Sequence, residues 1–186
     1  MWCTANRAAE YSILDSWPST RLSSSHYMAS FTRKFESTRQ DWPTPRSLYD
    51  PLNAEFQFEW DLAASSENAL APRYYTKEQD GLKQPWSGVC WLNPPFGQQS
   101  AKMVDWIKRA FDETQIRDDL TVVMLIPART NTRWFHRYCM KAAEVRFICG
   151  RPRFGDATHG LPQPLVLVVF RKHVGTETRF GSFTLS

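Results

Sequence analysis

The sequence predicts a single α/β domain built around a mainly parallel sheet. Three observations point there. Residues 121–126 (TVVMLI) and 165–170 (LVLVVF) are near-continuous apolar runs of strand length, as strands covered on both faces require. Residues 98–113 carry Met103, Ile107, Ala110 and Phe111, with Trp106 beside them, at the three-and-four spacing of one buried helical stripe. Strand-like runs alternate with helical stretches along the chain, the pattern of strands joined by crossover helices.

Residues 1–40 differ in character from the rest of the chain. Serines with Pro18, Arg21 and His26 dominate residues 16–30, and no apolar period is sustained. Such a segment buries too little to offset its ordering entropy, so it is expected to be flexible or peripheral. Met28 is a candidate second translation start. The domain itself is expected over residues 41–174, followed by a C-terminal tail over 175–186.

Within the domain, residues 56–62 (FQFEWDL) alternate aromatic and polar side chains as a strand does, then run into a loop at Ala63-Ala64. Residues 89–92 (VCWL) form a short apolar strand that must stop at Pro94 and Pro95, because neither proline can donate to a sheet ladder. The run at 121–126 is closed by Pro127. Residues 132–143 are expected to be helical, and 145–149 (VRFIC) return as a strand. Residues 150–164, with Gly150, Gly155, Gly160, Pro152, Pro162 and Pro164, form a long irregular connection of the kind that often binds ligands.

With 186 residues and 42% hydrophobic content, the chain can fill one core but leaves little room for a separate recognition domain. Most of the 8 tryptophans and 12 phenylalanines are therefore expected inside. A net charge of +4 is compatible with a polyanionic partner without requiring one. Cys3, Cys90, Cys139 and Cys149 show no paired spacing, which disfavours both a zinc site and a disulfide framework. No run approaches the roughly 20 apolar residues of a membrane span, and no signal peptide is visible. The expectation is a soluble cytoplasmic protein with no metal, no membrane association and no obligate protein partner.

The informative feature is Asn93-Pro94-Pro95-Phe96 at the end of an apolar strand. A conjugated amine is a poor nucleophile because its lone pair is delocalised. The Asn93 side-chain oxygen and the Pro94 carbonyl can each accept one of its N–H groups at about 2.9 Å, favouring a more tetrahedral nitrogen with its lone pair freed. Pro94 and Pro95 stiffen the turn so that its acceptors are already aimed. Phe96 offers a face on which an extruded base can stack. By itself the motif points to methylation of some planar amine, and it resembles the catalytic motif of amino methyltransferases.

Further segments narrow the reading. In order they are Trp42-Pro43-Thr44-Pro45, Phe58-Glu59-Trp60-Asp61-Leu62-Ala63-Ala64, Asp80-Gly81-Leu82 with Trp86, and the Asn93 motif. After it come Leu125-Ile126-Pro127-Ala128 with Thr130, Thr132, Trp134, Phe135 and His136, and then Gly150-Arg151-Pro152-Arg153-Phe154. Across residues 41–172 the chain resembles the phage-type DNA N-6-adenine methyltransferase family, related to Dam. The resemblance implies a Rossmann-like, S-adenosylmethionine-dependent domain acting on adenine in DNA, of phage or prophage origin and hence located in the host cell cytoplasm.

It also implies roles for matching residues. Thr44 and Pro45 would lie at the methionine end of S-adenosylmethionine. Asp61 would bind the cofactor ammonium, with Ala63 and Ala64 small enough for close backbone approach. Asp80 would accept a hydrogen bond from the cofactor adenine. Read singly these are ordinary features, since Thr-Pro opens turns and helices, Asp caps helices and Asp-Gly makes turns. Their order before Asn93 gives them the cofactor reading.

The sequence departs from many methyltransferases in lacking a Gly-x-Gly loop after the first strand. The stretch from Asp61 to Asn93 is also short for a helix and two more strands, so the sheet is expected to be abbreviated there. Glu67 and Glu78 are weak candidates for the missing ribose-binding acid. Arg151 and Arg153, in the long irregular connection, are the candidate DNA contacts. Arg129, Arg133 and Arg137 also lie among aromatics, with Arg137 read as a helix-surface residue. His136 and His159 need no role, because a methylated amine can shed its own proton. Cytosine N4, RNA adenine and a glutamine amide are alternative acceptors, and an inactive nucleic-acid-binding module on the same fold is the rival of another class.

Overall fold

The computed structural model describes residues 43–95, 100–154, 163–172 and 177–185, without the side chains of 100–102. All fall in the unit running from Thr38 to Ser186. The segment at 1–40, Trp42, Phe96 and His159 lie outside the described residues.

The chain enters through α1 (Arg46–Phe56), a helix whose N-cap is Pro45. The Pro45 carbonyl accepts from Leu48 N at 3.0 Å and Tyr49 N at 3.1 Å. Leu48, Tyr49 and Leu52 form its buried face. This helix replaces the start of the strand expected at 56–62. Only Trp60 and Asp61 pair, as β1 (Trp60–Asp61). Gln57 adopts a left-handed conformation (φ 58°) as the C-cap, and Asn53 Oδ1 accepts from Phe58 N at 2.9 Å. The aromatic alternation survives as packing: Phe56 and Phe58 stack at 5.9 Å.

A second two-residue strand, β2 (Arg73–Tyr74), and β3 (Gly88–Leu92) follow, with turns but no helix between them. Next come α2 (Ser100–Ile116), β4 (Leu120–Pro127) and α3 (Arg133–Tyr138). The helix expected over 132–143 is shorter than its pattern, tightening into a 3-10 turn at Cys139–Lys141 before β5 (Glu144–Cys149) begins. β6 (Leu165–Arg171) and β7 (Arg179–Thr184) complete the sheet. β7 lies in the segment expected to be a tail; it pairs along its length with β5.

The strand order is β2-β1-β3-β4-β6-β5-β7. β6 runs antiparallel to both its neighbours, and the remaining pairs are parallel. The carboxyl ends of β1, β2, β3, β4, β5 and β7 therefore share one edge. The apolar runs divide by the two-residue period of a strand. Val122, Met124 and Ile126 of β4, with Val166, Val168 and Phe170 of β6, face α2 and α3. Val123 and Leu125, with Leu165, Leu167 and Val169, face α1. Helices on both faces explain why these strands are apolar throughout. Among the described residues, no helix is long and apolar enough to cross a membrane.

Candidate functional site

Parallel pairing of β1 with β3 sets the site. Asp61, the last residue of β1, pairs with Trp91, and Leu62 N donates to the Trp91 carbonyl at 3.0 Å. Asn93 follows two residues later, so it lies on the same face of the sheet as Trp91 and Asp61, the face covered by α1. The Asn93 Nδ2 donates to Thr44 Oγ1 at 3.0 Å, bridging the start of α1 and the end of β3.

These ends open into a cavity of about 940 Å³. Thr44, Asp61, Ala63, Ala64 and Asp80 line it, and so do Asn93, Pro94 and Pro95. Residues far apart in sequence are thus brought to one wall. Pro45 is not in the lining; it acts one residue back, as the cap that starts α1. Arg151 and Arg153 do not line the cavity. They are exposed and follow the carboxyl end of β5, on the same sheet edge, alternating with buried Pro152 and buried Phe154.

Asp61 is a strongly perturbed acid of the site. It is only 3% exposed, and burial pushes its carboxyl up to about 6. Two backbone donors act in the other direction: Leu70 N reaches Oδ2 at 3.2 Å and Ala63 N reaches Oδ1 at 3.4 Å. The loop after β1 is thereby wrapped around this carboxylate. Burial of an acid beside small residues at a strand end creates a receptor for a cationic group.

Trp91 carries an unsatisfied group. Its indole Nε1, which can only donate, is buried with no partner among the described residues, and the residue lines the cavity. The buried Tyr49 hydroxyl, from α1, is likewise without a partner there, and its ring meets Trp91 edge-on at 5.7 Å.

Asp80 stands on a braced loop. It has positive φ (55°), which aspartate tolerates, and its Oδ1 accepts from Leu82 N at 3.3 Å. Gly81 follows because a Cβ there would collide with the Leu62 carbonyl oxygen. The Gly81 carbonyl accepts from Trp86 Nε1 at 2.8 Å and Arg109 at 3.0 Å. Arg109 also donates to the Leu82 and Gln84 carbonyls, and its guanidinium lies 4.2 Å from the Trp86 ring.

Sequence reasoning missed Arg109, which sits in the helix pattern like any surface arginine. It also read Trp106 purely as core, whereas Trp106 both stacks on Trp86 and forms part of the cavity wall. Glu67 and Glu78 both line the cavity. Glu67 accepts from the Ser65 and Ser66 hydroxyls. Among the described residues, no cluster of three or more His, Cys, Asp or Glu could hold a metal ion.

The arrangement defines a class: an α/β domain with a ligand cavity at the carboxyl ends of adjacent parallel strands and an Asn-Pro-Pro turn in its wall. Comparison with known proteins makes the class specific. A family model for DNA N-6-adenine-methyltransferase (Dam) matches residues 31–184, and the chain belongs to that family. It is 30% identical over 116 residues to a DNA N-6-adenine-methyltransferase of Escherichia phage T1, covering 61% of this chain and 46% of that protein. With the DNA N-6-adenine-methyltransferase of Haemophilus phage HP1 it shares 27% identity over 144 residues, covering 73% of this chain and 80% of that protein. The chain thus spans less than half the length of the phage T1 relative.

Proposed function

We propose that this chain transfers a methyl group from S-adenosylmethionine to the N6 amine of a flipped adenine in DNA. The domain is read as Rossmann-like, shortened between its first and catalytic strands, and working in a host cell cytoplasm. The observation that carries this reading is the meeting of Asn93, Pro94 and Asp61 in one cavity at the ends of paired strands. Open α/β sheets bind ligands at such carboxyl ends. Family membership supports the methyl donor, the adenine and the DNA.

When bound, S-adenosylmethionine supplies an electrophilic methyl on a sulfonium sulfur, open to in-line attack by the adenine nitrogen. Asp61 would bind the donor's ammonium. Thr44 and Pro45 flank that end of the cavity, while Ala63 and Ala64 leave room for backbone approach. Asp80 accepts from the amine of the donor's adenine ring, and Glu67 or Glu78 takes the ribose hydroxyls. The Asn93 side-chain oxygen and the Pro94 carbonyl accept the two N–H groups of the target amine, holding its lone pair out of conjugation. Phe96 stacks the flipped base, and Arg151 and Arg153 contact phosphate. The displaced proton leaves to solvent.

The test is methylation of DNA in cells expressing the protein, mapped by sequencing that detects N6-methyladenine. Asn93→Ala is expected to lose at least about 100-fold in rate, the scale of removing one preorganised transition-state hydrogen bond. Wild-type transfer by a folded Asn93→Ala protein would refute the mechanism. Nucleoside and amino-acid digests of DNA, RNA and protein offered together separate adenine N6 from the other planar amines. Calorimetry with S-adenosylmethionine separates an enzyme from an inactive binding module.

A further inference from the structure

We propose that Thr44 is a positioning residue for Asn93, engaging the nitrogen end of its amide so that the oxygen end is left for the substrate amine. This rests on the acceptor role proposed above for Asn93. An asparagine amide has one accepting and one donating end of nearly equal size. Turned one way it offers an oxygen to the amine N–H; turned the other way it offers NH₂, donor against donor. Only the first orientation can hold the target amine. The Nδ2 end of Asn93 is directed to Thr44 Oγ1 at 3.0 Å, so Thr44 takes the donating end.

Thr44 is built for that task by its surroundings. A residue before proline is confined to extended backbone, and Pro45 follows. A β-branched side chain is stiff at χ1, which limits where the hydroxyl can go. Pro45 caps α1, whose Leu48, Tyr49 and Leu52 are buried against the sheet, and Thr44 itself is 8% exposed. Thr44 is therefore seated, largely buried, at the start of a helix packed on the sheet. The cavity wall brings this hydroxyl to Asn93 across 49 positions of sequence.

Thr44→Val keeps the shape and removes the acceptor, whereas Thr44→Ser keeps the acceptor and removes the methyl. In single-turnover assays on unmethylated genomic DNA at saturating S-adenosylmethionine, Thr44→Val is expected to be about tenfold slower, equivalent to about 1.4 kcal/mol. Thr44→Ser should recover most of the rate. Because Thr44 also lines the cofactor end of the cavity, the affinity of each variant for S-adenosylmethionine is measured by calorimetry and the rates are compared with the cofactor site saturated. In the ligand-free protein, the Asn93 side-chain amide NMR signals should move in Thr44→Val and remain near wild-type positions in Thr44→Ser.

Two results overturn the proposal: wild-type speed in Thr44→Val, or serine as slow as valine, each at saturating cofactor. If valine prevents folding, Thr44→Ala takes its place in the same comparison. Asn93→Ala runs in parallel. Its retaining wild-type rate would refute the acceptor role of Asn93 itself, whatever Thr44 does.

Discussion

Burial pushes the Asp61 carboxyl up to about 6, from an ordinary value of 3.8, against the pull of two backbone N–H donors. The fold therefore holds this acid at a cost, and the cost has a definite pH window. The unfolded chain releases the proton near 3.8 while the folded chain retains it to about 6. The stability that protonation contributes is fully present below the lower value and lost as pH rises through the upper one. Asp61→Asn cannot titrate, so the stability difference between it and wild type should change by roughly 2 to 3 kcal/mol between pH 4 and pH 8. The change should favour the asparagine protein at pH 8; denaturant melts across that range measure it. Binding runs the opposite way. If the charged form grips an ammonium, S-adenosylmethionine affinity of the wild type should fall as pH drops through about 6. Affinity that is flat from pH 5 to 8 would remove Asp61 from the ammonium site.

Among the elements, the loop from Asp80 to Trp86 depends on a helix that is remote in sequence. Arg109 of α2 donates to three of its carbonyls and lies over the Trp86 ring. Arg109→Met keeps an apolar stem for Trp86 and loses those bonds. It should cost about 2 to 3 kcal/mol, the range for a hydrogen bond to a charged group, and weaken cofactor binding through Asp80. Unchanged calorimetric affinity in the methionine protein would sever that link. Elements of this kind were the least legible in the sequence. β4 and β6 announce themselves because both faces are covered, and α2 because one stripe is apolar. The helix α1 is masked by Pro51, which normally breaks a helix, and by aromatics whose alternation mimics a strand. β1 and β2 have two residues each, too few for any period. β7 is mostly exposed, so it lacks the buried alternation that would mark it. The site was more legible than its scaffold. Its polar residues carry chemistry in their order, whereas the carbonyl clamp of Arg109 and the bond from Asn93 to Thr44 exist only after folding.

For the whole unit, the topology decides what can act together. All strands except β6 end at one edge, so the cavity at β1 and β3 shares that edge with the segment leaving β5. There Pro152 and Phe154 are buried while Arg151 and Arg153 are exposed, an alternation that turns both arginines outward from an anchored stretch. Phe154 belongs to the same buried cluster as Leu165 and Trp91, in the core that α1 covers, so this stretch is anchored in the core that also holds the strand preceding Asn93. In the proposed reading, a duplex with a flipped base at Asn93 has its backbone along the same edge. If both arginines neutralise phosphates, the double substitution Arg151→Ala, Arg153→Ala should weaken DNA binding to all sequences alike. Each lost contact should reduce the slope of log affinity against log salt by about 0.9, so the pair by about 2. S-adenosylmethionine affinity should not change, because neither residue lines the cavity. Binding titrations at several salt concentrations read the slope directly. An unaltered slope with weakened binding would assign the arginines to base contact or to loop structure, and unaltered binding would move the DNA path off this edge.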